Sequence, residues 1–224
     1  MKKKKIYVYA ISKNEEKFAK RWYESVKSAD GIYVLDTGST DNTVKILKEL
    51  GAKVTTKEIK PWRFDVARNE SLKLVPLDAD ICVCIDIDEV ISPNWREKLE
   101  EILENEKVNH VRYIYNWSHD ENKNPKVSFY YEKIHARKNF KWINPVHEVL
   151  KYTGSNEVWA TTNDIIVDHY PDSSKSRSSY LPLLELSVKE DPYNDRNVHY
   201  LGREYMYYGK LNEAIDTLIY HLSL

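Results

Sequence analysis

Short apolar runs, separated by segments with helical spacing, fill the first ninety positions of the chain. The apolar runs predict four strands, at residues 6–11, 32–35, 53–56 and 81–85. The intervening segments predict three helices, at about residues 14–28, 44–50 and 65–75, the first capped by Ser12 or Asn14. Strands that alternate with helices in this order form parallel sheets covered by helices, so the pattern predicts an α/β fold.

The pattern changes after a further predicted helix at about residues 94–105. Aromatic-rich runs of alternating polarity predict antiparallel strands that extend the sheet, at residues 110–117, 127–137 and 157–162. The apolar run at residues 164–169 predicts a last buried strand. We therefore expect one mixed, mainly parallel sheet rather than two separate sheets.

The end of the chain has a helical pattern from about residue 174, and residues 201–214 resemble the spacing of a tetratricopeptide repeat. A helical hairpin without repeat ancestry is the alternative interpretation. Because one repeat cannot bury its own apolar face, we expect these helices to pack on the preceding domain or to belong to a longer protein. The predicted domains are residues 1–172 and a helical extension at residues 173–224.

Composition and charge exclude several classes of function. The 34 basic and 35 acidic residues leave a net charge of -1, so the chain offers no basic field to a nucleic acid. No apolar run reaches the length of a membrane span and none resembles a signal peptide, so we expect a cytoplasmic protein. Cys82 and Cys84 are two positions apart in a buried strand, where a disulfide would be strained, and are interpreted as core thiols.

Three carboxylates, Asp86, Asp88 and Glu89, follow the strand at residues 81–85. Ligands of open α/β sheets gather at the carboxyl ends of strands, so these side chains are expected to line the binding crevice. Two carboxylates about 6 Å apart repel by on the order of 3 kcal/mol, so either one holds a proton or a cation lies between them. Oxygen ligands suit Mg²⁺ or Mn²⁺. A solvated acidic turn is the alternative.

Several motifs together resemble a known family. The motifs S-K-N-E-E, V-L-D-T-G-S-T-D-N-T, F-D-V-A-R-N and C-I-D-I-D-E resemble, in order and spacing, the family-2 glycosyltransferases with the GT-A fold. The later W-I-N-P-V-H-E-V-L and I-V-D-H-Y, followed by a repeat-like tail, look like a bacterial branch that includes peptide S-glycosyltransferases. The resemblance covers about residues 6–170. No G-x-G-x-x-G and no P-loop is present, so a nucleotide would be held in another way.

The resemblance implies a nucleotide-diphosphate sugar as donor, with a UDP-sugar expected first, a divalent metal ion, and inversion at the anomeric carbon. By position, the residues that would hold the donor and the metal are the backbone near Ile11 and Ser12, Glu15 and Asp36 beside the base, Arg68 at the diphosphate, Asp86 at the ribose or metal, and Asp88 as main metal ligand. The family commonly has paired acids where this chain has Asp36 and Thr37. The contact to the base is therefore the part of the resemblance that this sequence matches least.

The later motifs add a further metal ligand and a general base. Resemblance to metal-dependent GT-A enzymes implies His169 as a ligand; a strand-end or core histidine is the alternative. The base should be an acid near the acceptor, for which Glu148 is the first candidate and Glu89 a competitor that lies close to the metal. His147 would instead approach phosphate or metal, and a solvated turn is the alternative for the pair His147 and Glu148.

Taken together, the sequence predicts a metal-dependent glycosyltransferase that acts on a saccharide or peptide acceptor. We expect no nucleic-acid partner and no transmembrane segment. A nucleotidyltransferase is the enzymatic alternative, but the chain lacks the basic, Gly-rich phosphate loop that this class uses. A non-catalytic scaffold whose helical tail binds a protein partner is the other alternative. The tail is also a candidate surface for self-association.

Overall fold

The first half of the chain forms the predicted α/β unit. The computed structural model describes residues 3–172 and 174–224. Its first elements are β1 (Ile6–Ser12), α1 (Glu16–Val26), β2 (Gly31–Asp36), α2 (Thr43–Leu50), β3 (Lys53–Thr56), α3 (Phe64–Leu74) and β4 (Ile81–Cys84). Strand β1 pairs in parallel with β2 and β4, and β2 pairs in parallel with β3. The parallel arrangement expected from the hydrophobic pattern is confirmed.

The second half extends the same sheet. Its elements are β5 (Glu89–Ile91), α4 (Trp95–Ile102), β6 (His110–His119), β7 (Pro125–Ala136), β8 (Phe140–Ile143), β9 (Val149–Tyr152) and β10 (Trp159–His169). The eight-stranded sheet has the order β3-β2-β1-β4-β7-β6-β10-β5, and β8 and β9 form a separate hairpin. Strand β7 is antiparallel to both β4 and β6. The sheet is therefore mixed, as predicted.

Two details of the second half differ from the prediction. The runs at residues 157–162 and 164–169 form one strand, β10, whose register with β6 shifts between Thr161 and Ile166. Strand β10 is parallel to β6 rather than antiparallel, and the chain between them forms β7 and the β8–β9 hairpin. Strand β5 and the hairpin of β8 and β9 were not predicted from the hydrophobic pattern.

Strand β4 is buried on both faces, which explains its continuous apolar sequence. Ile81 and Val83 belong to the main core, whereas Cys82 and Cys84 pack on the opposite face against the β8–β9 hairpin. Both thiols are free, and burial raises the pKa of Cys82 to about 12 and that of Cys84 to about 11. The interpretation of the two cysteines as core residues is confirmed.

The loops after β1 and β2 are tied to each other at the carboxyl end of the sheet. The Asn14 backbone adopts a positive φ of 54°, and its side-chain oxygen accepts a hydrogen bond from the Thr40 N–H at 2.8 Å. The Asn14 N–H in turn donates to the Ser39 hydroxyl at 2.8 Å. The predicted cap of α1 by Ser12 or Asn14 was wrong, because both side chains bond to the β2 loop and α1 begins without a side-chain cap.

Three helices follow the sheet: α5 (Tyr180–Glu190), α6 (Asp195–Tyr207) and α7 (Leu211–His221). Helices α5 and α6 pack on the sheet domain around Val146, with Leu184 and Leu201 in the same cluster. The predicted boundary at residue 173 lies outside the described residues, and the division into two domains stays a prediction, as does repeat ancestry. Among residues 3–172 and 174–224, no helix is both long and apolar enough to cross a lipid bilayer.

Candidate active site

The three acids that follow β4 lie at the carboxyl end of the sheet, where the turn into β5 fixes their positions. The Glu89 carboxylate accepts a hydrogen bond from the Asp86 N–H at 2.8 Å, which closes the turn. The Asp88 carbonyl accepts from the Tyr170 N–H at 2.9 Å, just past the end of β10. Asp86 and Asp88 therefore lie in two different environments, although they are only two residues apart in the chain.

Asp86 belongs to a cluster of buried charges, which we call the inner cluster: Arg68, Asp86, Glu89, Lys133 and Glu148. The Arg68 guanidinium binds both oxygens of Asp86, with Nη2 at 2.9 Å from Oδ2, and Lys133 Nζ lies 3.1 Å from Oδ2. Lys133 also contacts both Glu89 oxygens, at 2.7 and 2.8 Å. Repulsion between the acids is thus relieved at Asp86 by two side-chain cations, an arrangement that the sequence analysis did not consider.

The electrostatics of the inner cluster keep Asp86 and Lys133 charged, whereas burial raises the pKa of Glu89. Burial alone would raise the pKa of Asp86, but Arg68 and Lys133 outweigh burial and hold this pKa well below its ordinary value. Burial would likewise lower the pKa of Lys133, whereas Asp86 and Glu89 raise it well above its ordinary value. Because its oxygens already face two cations, Asp86 is poorly placed to bind a metal ion as well.

Glu148 joins the inner cluster through Arg68, and its neighbour His147 points elsewhere. The Arg68 Nε–H donates to Glu148 Oε1 at 2.7 Å. His147 has a positive φ of 50° and its ring stacks on Tyr200 of α6 with centroids 4.2 Å apart. Burial lowers the pKa of His147 to about 4. A role for His147 at phosphate or metal is therefore not supported, while Glu148 contacts Arg68 of α3.

Asp88 and His169 form a second, separate group, which we call the outer pair. Nε2 of His169 lies 3.5 Å from Asp88 Oδ2, and Nδ1–H donates to the Trp117 carbonyl at 3.1 Å. Burial lowers the pKa of His169, but the hydrogen bond and charge of Asp88 outweigh it and raise this pKa above its ordinary value. A carbonyl partner on Nδ1 leaves Nε2 available as a ligand, the usual arrangement of metal-binding histidines.

The outer pair fits a metal ion that is shared with a substrate. A carboxylate oxygen and an imidazole nitrogen are ligands that Mn²⁺ accepts, and Mg²⁺ or Mn²⁺ at phosphate sites takes its remaining ligands from phosphates and water. Within the described residues no group of three or more His, Cys, Asp or Glu side chains is arranged to hold a metal ion alone. Asp88 and His169 are the two predicted ligands that lie together, whereas the Asp86 oxygens face Arg68 and Lys133; metal binding by any of the three stays a prediction.

The residues predicted to hold a nucleotide base lie at the ends of β1 and β2. Ser12 pairs with Asp36 in the sheet, next to Ile11 with Leu35. Asp36 is fully buried and accepts four hydrogen bonds, from the Gly38 and Ser39 N–H groups and from the Ser12 and Ser39 hydroxyls. Four is about the full capacity of a carboxylate. A bond from a base, which stays a prediction, would have to replace one of these four.

Glu15 lies beside this loop and is only partly neutralised. One carboxylate oxygen accepts a hydrogen bond from Lys175, and the other is buried without a hydrogen-bond partner in the described part of the chain. Burial raises the pKa of Glu15 to about 7 although Lys175 opposes the shift. One Glu15 oxygen is thus buried without a hydrogen bond to any described residue, and the predicted place of Glu15 near the base stays a prediction.

Sequence reasoning missed Lys133, a member of the inner cluster, and Tyr115, which bonds to that cluster. The Tyr115 hydroxyl donates to Glu89 Oε1 at 2.9 Å, and Lys133 Nζ lies 5.3 Å from the ring centre of Tyr131. One signal was present: Lys133 occurs in a strand among alternating aromatic residues, a place where a charge is either at the surface or paired.

Three comparisons relate the chain to known proteins. The profile of glycosyl transferase family 2 matches residues 7–152. An uncharacterized glycosyltransferase of Rickettsia typhi is 38% identical over 112 residues, which are 50% of this chain and 36% of that protein. A Rickettsia bellii protein of the same description is 37% identical over 112 residues. The chain thus spans little more than a third of the length of the curated relatives it matches.

Solved structures give a similar result at lower identity. S. aureus TarS aligns with 90% of this chain and 43% of its own at a TM-score of 0.58 and 14% identity, which shows a shared fold and no more. Glucosyl-3-phosphoglycerate synthase from Mycobacterium tuberculosis, solved with Mn²⁺ and UDP-glucose, is 26% identical. Its alignment covers 50% of this chain and 44% of that one, and the TM-score of 0.43 is too low for its ligands to be transferred.

Proposed function

The chain belongs to glycosyl transferase family 2, and from that membership we propose that it transfers a sugar from a nucleotide-diphosphate donor, a UDP-sugar first, to a saccharide or peptide acceptor with Mn²⁺ or Mg²⁺. The observation that carries the proposal is the outer pair of Asp88 and His169 at the carboxyl end of the sheet. The inner cluster beside it provides a buried acid, Glu148, fixed in position by Arg68.

Each group has a distinct task in the proposed reaction. Asp88 and His169 would hold the metal ion, which when bound supplies positive charge to the departing diphosphate. Glu148 would accept the proton of the acceptor hydroxyl or thiol as that atom bonds to the anomeric carbon and the bond from this carbon to the diphosphate breaks. Inversion follows if the acceptor and the diphosphate lie on opposite faces of the sugar.

Arg68 and Asp86 are proposed here to support the reacting groups. All three Arg68 nitrogens that carry protons donate to Asp86 or Glu148 in this structure, so a bond from Arg68 to the diphosphate requires one of these to open. Asp86 would then help to place Arg68, and its predicted contact to the ribose stays a prediction. Glu15 and Asp36, with the backbone at Ile11 and Ser12, line the place for the base.

The proposal is tested by calorimetric titration of UDP, then GDP, with and without Mn²⁺. We expect one nucleotide to bind the wild type only with Mn²⁺. In Asp88→Ala, addition of Mn²⁺ should no longer increase the affinity for that nucleotide. Asp216→Ala, a change of an exposed acid on α7, serves as the matched control and should bind as the wild type does. If no nucleoside diphosphate in a wider panel that includes dTDP binds in either condition, the proposed function is wrong.

One observation favours a second role, association through the helical tail. If the domain is a non-catalytic scaffold, this association would be its function. Helix α7 exposes an apolar face whose members are between 55% and 84% exposed: Leu211, Ile215, Ile219 and Leu222. Such contiguous faces usually mark an interface. Sedimentation velocity should show self-association that Ile215→Asp removes; a monomer at all concentrations leaves a protein partner as the alternative. The predicted cytoplasmic location also stays a prediction.

A further inference from the structure

Four aromatic side chains form a continuous strip on one face of the mixed half of the sheet. This aromatic strip consists of Tyr115 and Trp117 of β6 and Phe129 and Tyr131 of β7. Tyr115 is paired with Phe129 in the antiparallel register, and its ring centre lies 5.4 Å from that of Phe129 and 5.0 Å from that of Tyr131. The ring of Trp117 continues the row at 6.4 Å from Tyr115.

The inner end of the aromatic strip contacts both groups of the candidate active site. The Tyr115 hydroxyl bonds to Glu89 of the inner cluster. The Trp117 ring stacks on His169 of the outer pair, with centroids 4.8 Å apart and planes at 29°. The strip therefore leads outward from the place where the diphosphate and metal ion would lie.

The outer end of the strip is open to solvent. The Trp117 side chain is 47% exposed and Phe129 is 43% exposed, whereas Tyr115 beneath them is buried. A single exposed aromatic residue needs no explanation, but two that share a buried aromatic neighbour and border an acidic crevice form a platform. Flat aromatic faces of this kind pack against the apolar face of a sugar ring, whose hydroxyls remain free for polar partners.

The charge around the strip selects the kind of saccharide. The inner cluster and the outer pair contain four acids, Asp86, Asp88, Glu89 and Glu148, against two side-chain cations and the His169 imidazole, which pairs with Asp88. Both cations are buried and already paired, so neither is free for a phosphate or carboxylate on an acceptor. An anionic acceptor would be repelled here, and an uncharged one would not.

We propose that the aromatic strip is the subsite for an uncharged saccharide acceptor, with Trp117 and Phe129 as the stacking residues. The inference rests on the glycosyl transfer proposed above, because it needs the donor to lie at the outer pair. It excludes peptides and phosphorylated sugars as the acceptor bound at this surface.

The test is saturation-transfer NMR on the full chain in the presence of UDP and Mn²⁺. The probes are the methyl glycosides of glucose, galactose, mannose and N-acetylglucosamine, together with glucose 6-phosphate and the tripeptide Gly-Ser-Gly. We expect at least one methyl glycoside to bind, and Trp117→Ala and Phe129→Ala each to weaken it by about tenfold, the factor expected for one lost stacking contact. The phosphorylated sugar and the tripeptide should give no signal.

Two further variants separate stacking from a general effect on folding. Trp117→Phe keeps an aromatic face and should retain most of the binding that Trp117→Ala loses. Tyr130→Ala is the matched control for Phe129→Ala, because Tyr130 is 49% exposed on the same strand and its hydroxyl bonds to Asn163, away from the strip. Tyr130→Ala should bind the glycoside as the wild type does.

Titration of UDP in the same samples distinguishes the two proposals. If UDP binds with Mn²⁺ but no methyl glycoside gives a signal, or Trp117→Ala binds the glycoside unchanged, the subsite is wrong and the proposed function stands. Binding of the tripeptide or of glucose 6-phosphate that depends on Trp117 also overturns the subsite, as does self-association that buries Trp117. If neither UDP nor any nucleoside diphosphate of the wider panel binds, the proposed function is wrong, and the subsite that rests on it is wrong as well.

Discussion

The inner cluster and the outer pair begin two residues apart in the chain and differ in almost every physical respect. Asp86 in the inner cluster is held by two buried cations, whereas Asp88 in the outer pair contacts one histidine at 3.5 Å. Both Asp86 oxygens are bound by side-chain cations, whereas Asp88 has a single, longer contact to a histidine. The two acids of the D-x-D motif therefore have different surroundings, and with the proposed metal role of Asp88 the comparison predicts opposite consequences of mutation at the two sites.

The largest effect is expected from Lys133→Met in the inner cluster. The change leaves Glu89 and Asp86 without their shared cation in a buried place and should lower the free energy of unfolding by about 3–5 kcal/mol. Urea unfolding measures the loss. Lys126→Met, at an exposed position of the same strand, is the control and should change the stability by less than about 0.5 kcal/mol. A similar small change for Lys133→Met would mean that water reaches these carboxylates.

Asp88→Asn should give the reverse result. Asp88 makes one long polar contact, so the free energy of unfolding should change by less than about 1 kcal/mol. Loss of a metal ligand should nevertheless weaken Mn²⁺-dependent UDP binding by about a hundredfold or more. Asp86→Asn is the matched variant, and we expect it to cost stability instead. If Asp88→Asn unfolded as readily as Asp86→Asn, the two acids would not differ in the proposed way.

The outer pair should also make metal binding depend on pH. The pKa of His169 is raised by Asp88, so the imidazole is protonated at a pH above the ordinary 6.5 and must lose that proton to bind Mn²⁺. Below the pKa of His169, affinity for Mn²⁺ should fall about tenfold per pH unit. Calorimetric titrations from pH 8 to pH 5.5, a range of about two to three units around the group's usual pKa, measure the slope.

The sign for stability is opposite to the sign for metal binding. Because the folded-state pKa of His169 is raised, the protonated pair stabilises the metal-free protein below the unfolded pKa and loses this contribution as pH rises through the folded pKa. His169→Gln should remove both dependences. His119→Gln is the control, since His119 bonds to Asp168 rather than Asp88. A slope for Mn²⁺ that survives in His169→Gln would contradict a ligand role.

The sequence predicted the parallel half of the sheet well because its hydrophobic pattern is local. Strand β3 was placed at its observed bounds, and α2, predicted to end at residue 50, ends there before Gly51, whose φ is 110°. The pairing of β10 with β6 could not be predicted, because the direction of a partner strand is set by the path of the whole chain. The β8–β9 hairpin, whose strands are four residues each, was not predicted.

The residues of the candidate site were likewise predictable where they belong to local motifs. The motifs indicated Arg68, Asp86, Asp88, Glu148 and His169, and the structure brings all five to one end of the sheet. The motifs could not show that Lys133, 47 positions later in the chain, neutralises Asp86. A lysine in a strand is ordinarily solvated, and Lys133 is buried only because Asp86 and Glu89 compensate its charge.

The smallest effect we predict is at Tyr115, which joins the inner cluster to the aromatic strip. Tyr115→Phe removes the hydrogen bond to Glu89 and keeps the ring, so the free energy of unfolding should fall by about 1 kcal/mol, because Lys133 still binds both Glu89 oxygens. Tyr113→Phe is a close control: the Tyr113 hydroxyl is buried with no hydrogen-bond partner in the described part of the chain.

Removal of the unpaired Tyr113 hydroxyl should leave stability unchanged or raise it, because an unsatisfied buried group costs free energy. The difference between the two variants in urea unfolding then measures what the bond to Glu89 contributes. If Tyr115→Phe were as stable as Tyr113→Phe, Lys133 alone would fix Glu89. Methyl glycoside binding should be the same in Tyr115→Phe and the wild type, because stacking on the strip depends on rings and not on this hydroxyl.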